Sequence, residues 1–242
     1  MRAGQQSVRS IALLTDSGNA LYAQGNLADA LICFRQALDL MGAKKSGQGK
    51  REAIGHYNLA RTYAGLGMTG EALEHYRNAT QISPRFVHAH NNLGMLLNEL
   101  GQHEEAGQHF RKALAADPLF AASHYGLAVA LQSMGDNFNA VFSYQKALNL
   151  NPDFYPSWMN LGLICYSIGS VDVAINCYSE AIALAPDRAD TYQYIALAYM
   201  AAGRYQDAIR SFSKVLELQP DHQGARDGLE EAMYLALETP GQ

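Results

Sequence analysis

The chain has 242 residues, of which 48% are hydrophobic and 17% charged, and its formal net charge is −5. This apolar share excludes a wholly disordered chain, because such chains lack the apolar surface that offsets the entropy of ordering. The mild acidity argues against a nucleic-acid partner, which requires a concentrated basic face to displace counterions from phosphate. No stretch approaches the roughly 18 consecutive apolar residues that span a bilayer, so we expect no membrane insertion.

The first residues and the cysteines favour a cytoplasmic location. The apolar stretch at residues 11–14 is too short for a secretory signal. The cysteines Cys33, Cys165 and Cys177 are odd in number and spread through helical patterns, which does not suggest a disulfide framework. We expect them to be small, reduced core residues.

The dominant feature of the sequence is a 34-residue period, which is typical of stacked repeats. Prolines mark it at Pro84, Pro118, Pro152, Pro186 and Pro220. A glycine column precedes them at Gly67, Gly101, Gly135, Gly169 and Gly203, and the N-terminal repeat continues it at Gly25. An aromatic column lies at Phe34, Tyr76, Phe110, Tyr144, Tyr178 and Phe212, and alanines recur four residues before each of these.

Each repeat is predicted to be two amphipathic helices, because apolar residues recur at helical spacing on both sides of the glycine. The glycine can take a left-handed conformation that ends the first helix, and the proline stops the second. After an extension at residues 1–10, six repeats follow at 11–44, 53–86, 87–120, 121–154, 155–188 and 189–222. Small residues on the first helix and the alanine column let the helices approach closely, and the aromatic column fills the space between pairs.

Two segments depart from the period. A basic, glycine-rich insert at residues 45–52 is either a longer loop or an added turn on both flanking helices. Residues 223–242 form a predicted capping helix and tail, with Leu229, Met233 and Leu237 on one side of a helix at 223–237 and a frayed end at 239–242. Repeat arrays need such a cap to cover their last apolar surface.

The columns resemble the tetratricopeptide repeat (TPR) family over residues 11–222. The residues that carry the match best are Trp158, Leu161, Gly162, Ala174, Tyr178, Ala181 and Pro186. The resemblance implies an all-α, right-handed α-solenoid of six helix-turn-helix repeats plus the cap. It also implies that the first helix of each repeat lines a concave groove that binds a protein or peptide.

No catalytic residue, cofactor or metal site is predicted. His103-Glu104-Glu105 lacks the second histidine that a zinc-protease motif needs four residues on. His56, His90 and His124 share one column and are expected to be packing residues. Equivalent points on successive repeats lie about 8–10 Å apart, too far to share one zinc ion.

The candidate binding residues are those that the family resemblance places in the groove. Asn58, Asn92 and Asn160 form an interrupted row whose carboxamides could bind the backbone of an extended peptide, similar to the asparagine ladder of O-GlcNAc transferase repeats. The polar, N-terminal part of the predicted site is Asn19, Asn58, Arg61, His88 and Asn92. The remaining part, more aromatic and apolar, is Tyr125, Met159, Asn160, Tyr166 and Tyr194.

The sequence therefore predicts a non-catalytic adaptor or scaffold that holds an extended peptide or a helix of a partner. Two alternatives stay open: a substrate-recognition arm associated with a glycosyltransferase, and a self-assembling scaffold, which would make the chain a homo-oligomer. A clamp for a chaperone's C-terminal carboxylate is disfavoured, since Thr15, His88 and Asn92 stand where that clamp requires cations.

Overall fold

The computed structural model describes residues 2–42 and 49–238, with side chains from residue 8 onward. This part of the chain contains thirteen α-helices and no strand. The first seven are α1 (Arg2–Ala23), α2 (Leu27–Gly42), α3 (Gly49–Gly65), α4 (Thr69–Ile82), α5 (Val87–Glu99), α6 (His103–Ala116) and α7 (Ala121–Ser133). The others are α8 (Asn137–Leu150), α9 (Tyr155–Ser167), α10 (Val171–Leu184), α11 (Ala189–Ala201), α12 (Tyr205–Leu218) and α13 (Gln223–Glu238).

The glycine column ends the first helix of every pair, as the sequence predicts. Gly25, Gly67, Gly101, Gly135, Gly169 and Gly203 all have positive φ, between 71° and 80°. An L side chain in this conformation would bring its Cβ close to the following carbonyl oxygen, whereas glycine has no Cβ. The chain therefore reverses after each first helix and sends the second helix back along it.

The aromatic column holds neighbouring helices together. Phe110 is fully buried, and a Cβ built on either Gly94 or Gly126 would come within 3 Å of its ring. The ring thus fills the space where a side chain would otherwise project from α5 and from α7. The same close contact joins Phe34 to Gly18, Tyr178 to Gly162 and Phe212 to Gly228. The predicted role of the aromatic column is confirmed.

A second column links α5, α7, α9 and α13 to the turns before them. His90 Nε2 lies 3.1 Å from the carbonyl oxygen of Pro84, and His124 Nε2 lies 2.9 Å from that of Pro118. In later repeats Trp158 donates to Pro152 at 2.8 Å and Arg226 donates to Pro220 at 2.6 Å. Proline ends the preceding helix, and its carbonyl group gains a donor from the next one.

The flanks of the insert are longer helices. α2 has 16 residues and α3 has 17, where α4 has 14 and α5 has 13. This agrees with the added-turn alternative for the described flanks, while residues 45–48 of the insert lie outside the described residues. α1 begins at Arg2, so residues 2–10 of the predicted N-terminal extension are part of this helix. The predicted frayed tail at 239–242 also lies outside the described residues.

The chain divides into two compact units, Met1–Ala130 and Leu131–Gln242, called here the N-terminal and C-terminal units. α13, the predicted cap, closes the core of the C-terminal unit. Ala225 and Ala232 of this helix are fully buried and pack in one cluster with Phe212 and Val215 of α12. The predicted helix at 223–237 is therefore confirmed.

Candidate partner-binding face

The asparagines of α5 bond to the helices around them. Asn92 Nδ2 lies 3.4 Å from the hydroxyl oxygens of both Tyr57 on α3 and Tyr76 on α4. Asn91 donates to Asn92 Oδ1 at 3.1 Å and accepts a hydrogen bond from Ser123 Oγ on α7 at 2.9 Å. Asn91 and Asn92 therefore use much of their hydrogen-bonding capacity on residues of the N-terminal unit.

The other predicted asparagines differ in accessibility. Asn58 is only 6% exposed, so it offers little surface to a partner. Asn19 is exposed, and Asn160 in the C-terminal unit is half-buried. The row that the sequence suggests is thus not a uniform line of exposed carboxamides.

Arg61 is sandwiched between aromatic rings on the first helices α1 and α3. Its guanidinium carbon lies 4.3 Å from the centre of the Tyr22 ring and 5.5 Å from that of Tyr57. A guanidinium over a ring face is attracted by the ring quadrupole. The predicted binding residue Arg61 is therefore also a contact between successive pairs of helices.

Two phenylalanines that the sequence analysis did not select lie beside the predicted residue His88. Its ring centre is 5.1 Å from that of Phe120 and 6.5 Å from that of Phe86, which in turn lies 5.0 Å from Tyr57. Both phenylalanines come two residues after a column proline, as does Phe154. This recurrence is a signal that could have found them.

In the C-terminal unit the predicted residues fall into a buried and an exposed group. Met159 is only 7% exposed and belongs to the core. Tyr166 on α9 and Tyr194 on α11 are each 37% exposed, and Leu197 on α11 is 38% exposed. We call these three residues the apolar face. Tyr194 is held by stacking on Tyr178, with the ring centres 6.0 Å apart.

Two adjoining cavities lie at the N-terminal ends of the first helices of the N-terminal unit, near the predicted residue His88. One, of about 210 Å³, is lined by Val8, Ile11 and Arg51 among others, and the second, of about 300 Å³, by Lys50, Arg85, Phe86 and Phe120 among others. Ile54 lines both. We call this pair of cavities the rim groove.

Tyr125, also predicted as a binding residue, is half-buried on α7.

Comparison with known families explains this recurrent packing. The Tetratricopeptide repeat family matches residues 9–85 and 86–151, and further tetratricopeptide-repeat families match 162–203 and 189–222. The chain is a tetratricopeptide-repeat protein. No curated protein is significantly similar to it in sequence.

Solved structures of TPR proteins share the fold. MamA is 25% identical, with a TM-score of 0.66 over 72% of this chain and 94% of its own. YrrB, described as a TPR protein with an unusual peptide-binding site, is 22% identical, with a TM-score of 0.68 over 81% of this chain and 97% of its own. PilF of Pseudomonas aeruginosa is 19% identical, with a TM-score of 0.78 over 93% and 99%. Family and neighbours together support a protein-interaction scaffold.

Two TPR pairs of the N-terminal unit are joined by histidines. Nδ1 of His56 lies 2.9 Å from Nδ1 of His75, and the same distance separates Nδ1 of His90 and His109. Because His90 Nε2 donates to the carbonyl oxygen of Pro84, His90 Nδ1 accepts the proton of His109. Each bond ties a first helix to its second helix.

Burial lowers the pKa of all four paired histidines, since it disfavours the charged imidazolium. The pKa of His109 falls to about 4, through burial first and then through the charges of His90 and Lys112. The pairs are therefore neutral at pH 7. Across the described residues, no group of three or more histidine, cysteine, aspartate or glutamate side chains is placed to hold a metal ion.

The cysteines of the TPR helices are free thiols in the described residues. Cys165 and Cys177 are buried and Cys33 is half-buried. Burial raises the pKa of Cys177 to about 12, so its reactive thiolate form is scarce at neutral pH. None of the described helices has both the length and the apolar character needed to cross a membrane.

Proposed function

We propose that this TPR protein is a non-catalytic scaffold that binds a partner polypeptide along its first helices. The observation that carries the proposal is the apolar face: Tyr166, Tyr194 and Leu197 are exposed on α9 and α11, two first helices that contact each other. Exposed apolar side chains clustered in this way often mark a site for another protein. The peptide-binding site of YrrB, a neighbour in fold, is consistent with this use of the repeats.

The apolar face is a better target for mutation than the asparagine row. Replacing Asn92 would remove its bonds to Tyr57 and Tyr76 and so disturb packing as well as any binding. Replacing Tyr166 or Leu197 removes exposed surface, and replacing Tyr194 removes exposed surface together with its stacking on Tyr178. The asparagine row likewise gives little support to the glycosyltransferase-associated alternative, because Asn58 is buried.

The test places a photo-crosslinking amino acid at Leu197 and identifies cross-linked proteins from the native cells by mass spectrometry. We expect one or a few specific partners, whose capture falls at least tenfold in Tyr166→Ala/Tyr194→Ala. A cross-linker at Phe138, which is 85% exposed on α8, is the control and should not capture the same partners. Equal capture at Phe138, or capture unchanged in the double variant, would contradict the proposal. Circular dichroism checks that the variants remain helical.

A further inference from the structure

α13 presents a second apolar stripe, on the side away from its core contacts. Met233 is 53% exposed, Tyr234 60% and Leu237 80%. With the exposed Glu230 they occupy positions i, i+3, i+4 and i+7 of the helix. This is the spacing with which an amphipathic helix inserts anchors into a groove of another protein.

The stripe is acidic at its edges. Glu231 and Glu238 are exposed beside the apolar residues, and Tyr234 Oη donates a hydrogen bond to Glu238. Asp227 lies one turn before Glu231 and is exposed as well. A groove that receives this helix should therefore combine apolar pockets with unpaired cations.

The rim groove has this combination. Its cavities expose Val8, Ile54 and Phe86, and Lys50, Arg51 and Arg85 are among the residues that line them. No hydrogen bond or ion pair joins these three cations to any described residue. Two carboxylates, Asp16 and Asp117, also line the groove, which leaves the cations in the majority.

The charge of the whole chain follows the same division. Residues 1–130 hold 12 lysines and arginines against 10 aspartates and glutamates, whereas residues 131–242 hold 6 against 13. Opposite charges on two surfaces speed their encounter and select their relative orientation.

We propose that α13 of a second copy of this chain docks in the rim groove, with Met233, Tyr234 and Leu237 in the cavities and the glutamates facing Lys50, Arg51 and Arg85. The inference rests on the proposed function, in that it uses the ends of the first helices as a polypeptide-binding surface. Because the two contacting surfaces differ, the copies associate either reciprocally, as a two-fold dimer with α13 of each in the groove of the other, or head-to-tail, as rings or open chains.

Light scattering coupled to gel filtration, over a concentration series of the full chain, tests this assembly. The mass should rise above that of one chain with increasing concentration and fall back in high salt, since salt screens exposed charges. A one-chain mass at every concentration overturns the inference. This includes the case in which α13 reaches the groove of its own chain.

Matched variants test the two surfaces separately. Met233→Ser/Leu237→Ser removes the anchors and Arg51→Glu/Arg85→Glu reverses the groove charge; each should weaken association at least tenfold. Phe138→Ser/Phe142→Ser, on exposed residues of α8, and Arg111→Glu, on the exposed part of α6, are the controls and should associate as the unmodified chain does. Equal weakening by the controls would contradict the assignment.

Mixing the variants gives the sharpest result. A contact between α13 of one copy and the groove of another predicts that the α13 variant and the groove variant, each unable to assemble alone, form a complex together, because one retains an intact groove and the other an intact α13. Failure to complement overturns the inference. The proposed function is read out independently, since partner cross-linking at Leu197 should survive in the α13 variant and assembly should survive in Tyr166→Ala/Tyr194→Ala.

Discussion

The N-terminal and C-terminal units are built from the same columns and differ in their histidines, charges and exposed apolar residues. In both, a buried aromatic ring lies against a glycine of a first helix: Phe110 with Gly94 in one and Tyr178 with Gly162 in the other. Seven of the eight histidines lie in residues 1–130, together with Asn91 and Asn92 and their bonds. The C-terminal unit instead carries the apolar face and most of the acidic residues.

This difference teaches which positions the fold leaves free. The glycine column forms the turn, the proline column ends the second helix and the alanine column lets the helices approach closely. The aromatic column fills the space between helices, and we call it the aromatic wedge. These steric requirements are the same in every repeat. The remaining surface of the first helices can then take one chemistry in one unit and another chemistry in the next. We therefore expect the shared columns to determine stability and the variable positions to determine the proposed binding.

The largest effect should come from the aromatic wedge, and it tests whether the two units are equivalent in packing. Phe110→Ala and Phe212→Ala each empty a fully buried site, and we expect a loss of about 3–5 kcal/mol in the free energy of unfolding for either one. Urea unfolding followed by circular dichroism measures it. Phe142→Ala, at a residue 57% exposed, is the control and should change little. A cost confined to one unit would show that the shared columns do not bear equal stability.

Acidification should lower the stability of the N-terminal unit before that of the C-terminal unit. Below pH 6.5 an unfolded histidine takes up a proton that His109, with its pKa of about 4, does not, so stability falls as the pH drops towards 4. At pH 5 the expected loss from His109 is about 2 kcal/mol. His109→Gln should remove its own part of this dependence and leave that of His56, His75 and His90, whereas His103→Gln should leave all of it. Hydrogen exchange at pH 7 and pH 5 locates the loss in the N-terminal unit.

The C-terminal unit responds in a different pH range. Its only histidine is His222, and its carboxylate Asp207 has a pKa held below the usual value by Arg210 and Arg204. A lowered carboxylate pKa contributes stability that is lost only below about pH 4. The single tryptophan, Trp158, lies in this unit, so its fluorescence should stay native between pH 7 and pH 5. A parallel loss in both probes would contradict the assignment to the histidine pairs.

A smaller effect isolates the glycine conformation from packing. Nothing lies within 4 Å of a Cβ built on either Gly67 or Gly70, but only Gly67 has a positive φ, of 74°. Gly67→Ala should therefore cost about 1 kcal/mol, while Gly70→Ala, inside α4, should stabilise by about 0.5–1 kcal/mol. Thermal unfolding of both variants measures the difference. Gly135→Ala provides the same test in the C-terminal unit.

The smallest effect concerns the exposed ion pair between Arg77 and Glu105, which links α4 to α6 at 3.1 Å. Both side chains are more than a third exposed, so Arg77→Ala should cost no more than about 0.5 kcal/mol, and less in high salt. Urea unfolding at two salt concentrations checks this. A cost near that of Phe110→Ala would mean that this exposed ion pair stabilises the repeats as strongly as the buried aromatic ring does.

The repeat period made the fold predictable, because each column corresponds to one steric demand. Gly67 and its equivalents do adopt positive φ, Phe110 and its equivalents are buried, and α13 forms where the sequence predicts the capping helix. These features need only the sequence of one repeat and the knowledge that it recurs.

Contacts between columns were harder to predict. The repeat places His56 and His90 in one column, along which they are too far apart to meet. Each in fact bonds to a histidine 19 residues later on the second helix, at His75 and His109. Similarly, Asn91 bonds to Ser123 on the next first helix. The 34-residue period relates equivalent positions in successive repeats. It does not indicate which side chains of two neighbouring helices contact each other.

The hydrogen bond from α5, α7, α9 and α13 to the preceding proline turn has a consequence for sequence variation. Histidine, tryptophan and arginine all supply it, for example at His90, Trp158 and Arg226, so chemically different N–H groups of suitable reach form the same bond. A comparison of amino-acid identities alone would classify this position as variable, although the hydrogen bond recurs in both units. A repeat protein of this kind can thus exchange quite dissimilar amino acids at a structural joint, provided that the donor survives each exchange.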